Sequence, residues 1–457
     1  MKINIKTIIA FLLAGAASGI ISAQNTYSGY FTDNYLYRHQ MNPAYGNCQN
    51  FVGFPALGNL NIGMQGNLHL SDVLYNIDGR TSLFTNPKVD AAEFMSQIHD
   101  KNRIGTDFKV NVLNGGWKAW GGYNTVGISV VGNVRASLPG SLFSLLKEGV
   151  ENREYDIKNL RAHAGAYAEI ALNHSRDIRQ VPGLRVGAAV KFLIGAGSVD
   201  ARFNDARLVL GKDSWDITAN ADLYANVKGL KFKHDWNHDV TPAREYVSGA
   251  ELDGFGLNGF GLGFDLGATY SWRDFTFSAA VLDLGFISWG ESHHASTDGT
   301  VNFQTSKYVF DVDSDDDRDA FDEMKDDLTQ IYQLKDMGKA GSRAEALAAT
   351  LNFGVEYELP YYRRLHFGLL NTTRVDGPFT WTEFRLGATV RPVDCLSASI
   401  NMAAGTFGVG MGWMLNLNLR KGFNLFVGMD RIPGKLAKQG VPLNSNGELN
   451  FGINFPF

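Results

Sequence analysis

Eight charged side chains stand out because each falls on the polar phase of a segment that otherwise alternates with apolar residues: Arg161, Glu169, Arg185, Lys191, Asp222, Asp265, Glu356 and Arg385. Charges of both signs in that position must be hydrated or paired, so they are candidates for lining a lumen, as a packed ion-paired interior or as the wall of a conduit. Asp311, Asp313, Asp315, Asp317, Asp319 and Asp322 follow the ligand spacing of a calcium loop. Asp316 stands where that loop needs Gly, and Asp322 where it needs a bidentate Glu, so a solvated acidic loop is the simpler reading. His234, His238 and the pair His293–His294 have metal-like spacing but lie in polar stretches, where surface residues are the default. No G-x-S-x-G, H-E-x-x-H, Walker or C-x-x-C motif occurs. Neither an enzyme nor a cofactor is expected.

The elements that must carry these charges have a period of two. Val126, Ile128, Val130 and Val134 alternate with Thr125, Gly127, Ser129 and Asn133. The same pattern runs from Leu160 to Leu172, Leu184 to Ile194, Phe260 to Trp272, Leu351 to Leu359, Leu396 to Met402 and Phe407 to Leu419. Strands of soluble sandwiches average about 5 to 6 residues. Many of these approach the roughly 9 to 11 that a tilted strand needs to cross a bilayer. The expected fold is therefore all-β: a transmembrane antiparallel β-barrel with lipid on its apolar face. Met411, Trp413 and Leu415 should face lipid, and the glycines between them the interior.

Residues 1–23 carry Lys2 and Lys6, an apolar run and a small-residue end at Ala23, the form of a cleaved secretory leader. The formal charge of -5, from 42 basic and 47 acidic residues, offers no basic face for a nucleic acid. Residues 24–58 are expected to form a plug-like segment and residues 59–457 the barrel, with a long external loop at 289–348. Turn and loop lengths give about fourteen strands, or sixteen if residues 201–226 form a spanning pair. Within the long loop, Phe321, Met324, Leu328 and Ile331 have helical spacing and Ser342–Glu345 has the form of a capping box. Leu142–Leu146 predicts a second short helix. The apolar phase slips between Val281 and Leu282, so Asp283 marks either a bulge in the wall or the point where the strand leaves the membrane. Cys48 and Cys395 could tether the plug to the wall as a disulfide, or stay free thiols.

The segment Asn42-Pro43-Ala44, followed by Phe51 to Leu60 (FVGFPALGNL), resembles the N-terminal signature of an uncharacterised Bacteroidetes family of outer-membrane barrels. Ser278 to Trp289 (SAAVLDLGFISW) and Thr350 to Tyr357 (TLNFGVEY) resemble later elements of that family and, more distantly, PorV and FadL-type barrels. The resemblance implies an N-terminal segment in or near the lumen. It also implies either binding or uptake of a small hydrophobic ligand, as in FadL-type barrels, or a closed scaffold or secretion partner, as in PorV. Leu449, Phe451, Ile453, Phe455 and Phe457 resemble the terminal strand by which the barrel assembly machinery recognises its clients. Outer-membrane lipid and that machinery are thus the expected partners.

Overall fold

A strand with two polar backbone edges needs a neighbour on each side, and in a bilayer only closure supplies both. The computed structural model describes residues 26–148, 153–210, 214–238, 243–254, 256–297, 299–304, 333–419, 422–433 and 446–457. In it, fourteen antiparallel strands close into a barrel. The first, β1, is made of two pieces, Phe51–Gly53 and Leu60–Gly66. Next come β2 (Lys101–Ala119), β3 (Gly122–Pro139), β4 (Arg161–Asp177) and β5 (Leu184–Leu210). β6 (Gly259–Trp272) and β7 (Phe275–Trp289) form a hairpin. β8 (Ala349–Glu358) is preceded by a short upper piece, Arg343–Ala346. The wall continues through β9 (Leu365–Val375), β10 (Trp381–Val393), β11 (Leu396–Gly405) and β12 (Gly408–Leu419). It ends with β13 (Phe423–Met429) and β14 (Gly447–Pro456). Closure is direct: Val52 opposes Phe455 and Leu60 opposes Phe451.

Turn chemistry divides the two ends. At one end the joints are short; between β2 and β3, Trp120 and Gly121 both take positive φ (56° and 72°), the two-residue turn that matches strand twist. Most connections at the other end are long and carry structure of their own, although 376–380 and 406–407 are short. Residues 67–100 hold a small hairpin and helix α1 (Ala91–Gln97), which begins where Asp90 accepts from the Glu93 N–H. Phe84 and Phe94 of that connection stack at 4.5 Å and pack on Phe143 of α2 (Gly140–Glu148), making a small apolar core outside the barrel. The expected helix around Leu142–Leu146 thus exists. No helix among the described residues is long and apolar enough to cross a membrane.

The alternation sets the faces as expected. On β12, Met411 and Leu415 are exposed and Trp413 half-buried, while Gly412, Met414 and Asn416 point inward and are buried.

Two expectations need correction. The plug ends before residue 58, because Phe51–Gly53 already pairs with both β14 and β2; residues 54–59 form a turn inserted in the wall. Ser342–Glu345 does not cap a helix: Arg343–Ala346 pairs with Phe286–Trp289, which leaves the Arg343 and Glu345 side chains in ion pairs. The strand count is the expected fourteen: residues 201–210 extend β5 beyond the barrel, and Ser214–Val227 folds back on that extension and pairs with Gly299–Gln304 and His293–Ser296, so 201–226 adds no spanning pair. The connection between β5 and β6 also contains the hairpin Leu230–Asn237/Arg244–Leu252. The leader at 1–23, the Asp311–Asp322 run and the helical spacing at 321–331 lie outside the described residues.

Candidate functional site

Residues 26–50 fill the turn-end half of the lumen. Tyr30, Phe31, Tyr35, Leu36, Tyr37 and Met41 are buried against Leu370 of β9, Met414 of β12 and Phe426 of β13. Polar contacts fix this aromatic knot at its edges. The Asp430 carboxylate accepts from the Tyr27 and Ser28 N–H groups, which stand unbonded at the start of a short 3-10 turn (2.6 Å to Tyr27). Tyr37 donates to Asn454 at 2.6 Å. Arg185 donates from Nε to the Ala44 carbonyl at 2.7 Å and from Nη2 to Ser175 at 2.9 Å. Burial lowers the His39 imidazole of the plug to about 4, so it sits neutral with Nδ1 donating to the Leu36 carbonyl.

Asn42-Pro43-Ala44 docks where two glycines oppose each other on neighbouring strands, Gly187 of β5 and Gly267 of β6. A Cβ at Gly187 would lie 2.1 Å from the Pro43 oxygen, and one at Gly267 2.1 Å from Asn42 Oδ1. Asn42 donates to the carbonyls of Ala268 and Ala279, both at 3.3 Å, while its own Oδ1 accepts from Ala44 at 3.0 Å. The motif is thus a lock between plug and wall.

Three charge clusters surround the plug. Lys191 lies 2.8 Å from Asp265 and 2.6 Å from Asp283, and Lys109 bonds Glu169 at 2.8 Å. Asp283 has φ of 58° and donates its N–H to the side chain of Asp265 rather than to a backbone carbonyl of β6, and the register of β6 and β7 shifts there. The strand continues to Trp289, so this is a bulge inside the wall. In the second cluster Glu356 accepts from His366 at 2.9 Å, with Arg38 of the plug 3.9 Å away. In the third, Glu383 joins Arg385 (2.6 Å) and Arg431 (2.5 Å).

Above the plug, on the loop side, lies a cavity of about 460 Å³. Arg161 enters it from β4 with Nε on Asp200 at 2.9 Å; Arg343 holds Asp200 and Glu345, each at 3.1 Å. Arg135 reaches across to Asp376. Trp289, Leu347, Val375 and Phe379 supply an apolar side. The wall beside this vestibule is notched. Ladder pairing between β8 and β9 ends at Ala349 and Val375, and among the described residues the upper piece of β8 pairs only with β7. The notch lies at the height of lipid-facing side chains, since Val375 and Phe286 are both about half exposed (50% and 47%).

Seven of the eight charges read from the sequence face the lumen. Arg161 lines the vestibule; Glu169, Lys191 and Asp265 join Asp283; Arg185, Glu356 and Arg385 brace the plug. Asp222 belongs elsewhere, because its strand extends beyond the barrel, where it bonds His294 at 2.7 Å. Cys48 and Cys395 are free thiols. Cys48 sits beside Tyr123 of β3 and Cys395 in the turn between β10 and β11, roughly opposite in strand order, so no bridge forms. His234 bonds Asp336 at 2.8 Å, and no group of three metal-ligating side chains occurs among the described residues. Sequence reasoning missed Lys109, although Asp107, Lys109 and Asn111 alternate with Phe108 and Val110; a register shift between Asn111 and Leu113 breaks the phase. Arg135 likewise falls on the polar phase, between Val134 and Ala136, whereas Arg343 and Asp430 carry no comparable signal.

Comparison with curated proteins gives no match. Similar solved structures include the toluene transporter TbuX of Ralstonia pickettii, at 9% identity over 91% of each chain and a TM-score of 0.41. The Pseudomonas putida toluene transporter TodX gives 10%, 91% of this chain, 90% of that one and 0.37. A Pseudomonas aeruginosa FadL homologue gives 9%, 96%, 97% and 0.34. A family model matches residues 43–430, and the chain belongs to that family, the family of unknown function DUF5723.

Proposed function

We propose that this protein is an outer-membrane barrel that takes a small, largely hydrophobic molecule into its loop-side vestibule and releases it sideways into the bilayer through the notch above Ala349 and Val375. The observation that carries this reading is the conjunction of a packed axial route with an interrupted wall at the height of lipid-facing side chains. An apolar solute gains about 25 cal/mol per Å² on leaving water for such surroundings, so a lateral exit into hydrocarbon runs downhill where an axial exit into water does not. Short turns then face the periplasm and long loops the outside, and the β14 strand, with Leu449 and Phe455 exposed to lipid, is what the assembly machinery would recognise. The protein acts without catalysis or cofactor. The packed lower lumen favours a second reading, a closed scaffold or secretion partner.

Uptake of radiolabelled naphthalene by cells with a lipopolysaccharide outer leaflet separates the two. Cells making the protein should take it up several-fold faster than cells without it. Ala349→Trp, which fills the floor of the notch, should return uptake to background at equal amounts of folded barrel. Uptake that matches background with the unaltered protein favours the scaffold.

A further inference from the structure

The vestibule has an edge as well as walls. Leu347 donates its N–H to the Gly285 carbonyl at 2.9 Å, in register with the pairing of Glu345 and Ile287. Hydrogen bonding alternates along an antiparallel pair, so Glu345 and Leu347 bond toward β7 while Ala344, Ala346 and Ala348 turn their N–H and C=O groups the other way. That other way is the vestibule, which all three alanines line, and among the described residues none of the three has a backbone partner there. The protein thus presents a strand edge three alternate residues long, the template on which another extended chain pairs.

Two further features specify what would pair. Arg161 spends Nε on Asp200, and its two Nη groups carry no hydrogen bond among the described residues although they point into the same cavity. Asn133 Oδ1 is buried in the cavity lining without a donor. Across the notch Val375 and Phe379, and within the cavity Trp289 and Leu347, offer apolar surface for side chains. We infer that the vestibule binds a short extended peptide with small apolar side chains, its main chain added to the edge Ala344–Ala348 and its C-terminal carboxylate held by Arg161. This rests on the vestibule being a ligand site, as proposed above, and names the class of ligand. A carboxylate suits the fork of Arg161 because the guanidinium offers two parallel donors.

The test is titration calorimetry of the full mature chain in nanodiscs with the tetrapeptide Ala-Val-Ala-Val. Saturable one-to-one binding is expected. N-methylation of alternate amides, which removes the donors that pair with the edge, should weaken binding at least about tenfold. Amidation of the C-terminus should weaken it by a similar factor, and Arg161→Gln should bind acid and amide equally. Ala346→Pro deletes an edge N–H that β7 does not use, so the barrel should form and bind at least about tenfold less peptide. Equal affinity for the N-methylated peptide overturns the inference. So does an absence of peptide binding while naphthalene uptake persists, an outcome that leaves the lateral route standing; loss of both defeats both.

Discussion

Lys191→Met should lower the stability of the folded barrel by about 3–5 kcal/mol, the usual cost of removing one partner from a buried ion group. Lys191 is the cation between Asp265 and Asp283, with Glu169 4.0 Å away, and all four side chains are largely shielded from solvent. Without it, two carboxylates on neighbouring strands face each other at the bulge with no counter-charge between them. Adding Asp283→Asn should recover more than half of the loss, because Asn tolerates the positive φ at that position and removes one of the stranded charges. Urea unfolding in lipid, followed by the heat-modifiable mobility of the barrel on gels, measures both. A single variant as stable as the unaltered protein would show that the cluster is hydrated and that the lumen at this height is open.

Gly267→Val is expected to dislodge the plug. A Cβ there already falls 2.1 Å from Asn42 Oδ1 and 2.8 Å from Pro43 Cδ, separations that real Cβ atoms do not show, so either the strand or the plug must move. The strand is held on both sides by ladders to β5 and β7, whereas Asn42 and Pro43 are held by side-chain bonds of 3.3 Å. The plug gives way. In a background with Cys48 and Cys395 changed to Ser, a reporter Ala44→Cys is fully buried and should resist a water-soluble thiol reagent. Adding Gly267→Val should speed its labelling at least about tenfold, as local opening exposes the site. Labelling that stays slow, in a barrel of full stability, would mean that the plug can shift within the lumen and that the glycine pair is not what seats it.

The wall was legible because a strand with lipid on one side and a polar lumen on the other writes its geometry into alternate residues. Met411, Gly412 and Leu415 show how far that reaches, down to single side chains. The same code placed Glu169, Lys191 and Asp265 on the inner face but could not say that they meet, because contacts across a lumen join residues far apart in sequence, as Lys191 and Asp283 do. The bulge at Asp283 was visible as a slip in phase, yet a slip also arises where a strand leaves the membrane, and only continuation of pairing to Trp289 separates the two. Asp222 misled because alternation does not distinguish a strand in the bilayer from one that extends beyond it. Ser342–Glu345 misled because a local capping pattern competed with pairing to Phe286–Trp289, and the longer-range partner won. The notch had no sequence signal at all. It follows from β8 being taller than β9, a difference that appears only when the two strands are set side by side.

The central claim is that the lumen is closed along its axis by residues 26–50 while the wall is continuous around it below the notch. Single-channel recording in a planar bilayer tests it most directly, comparing the mature chain with a variant lacking residues 26–49 that retains β1 and shows the same heat-modifiable mobility. The mature chain should pass no steady ionic current, and the variant should open a stable conductance. A steady conductance through the intact chain equal to that of the variant, or silence in a folded variant, would contradict it.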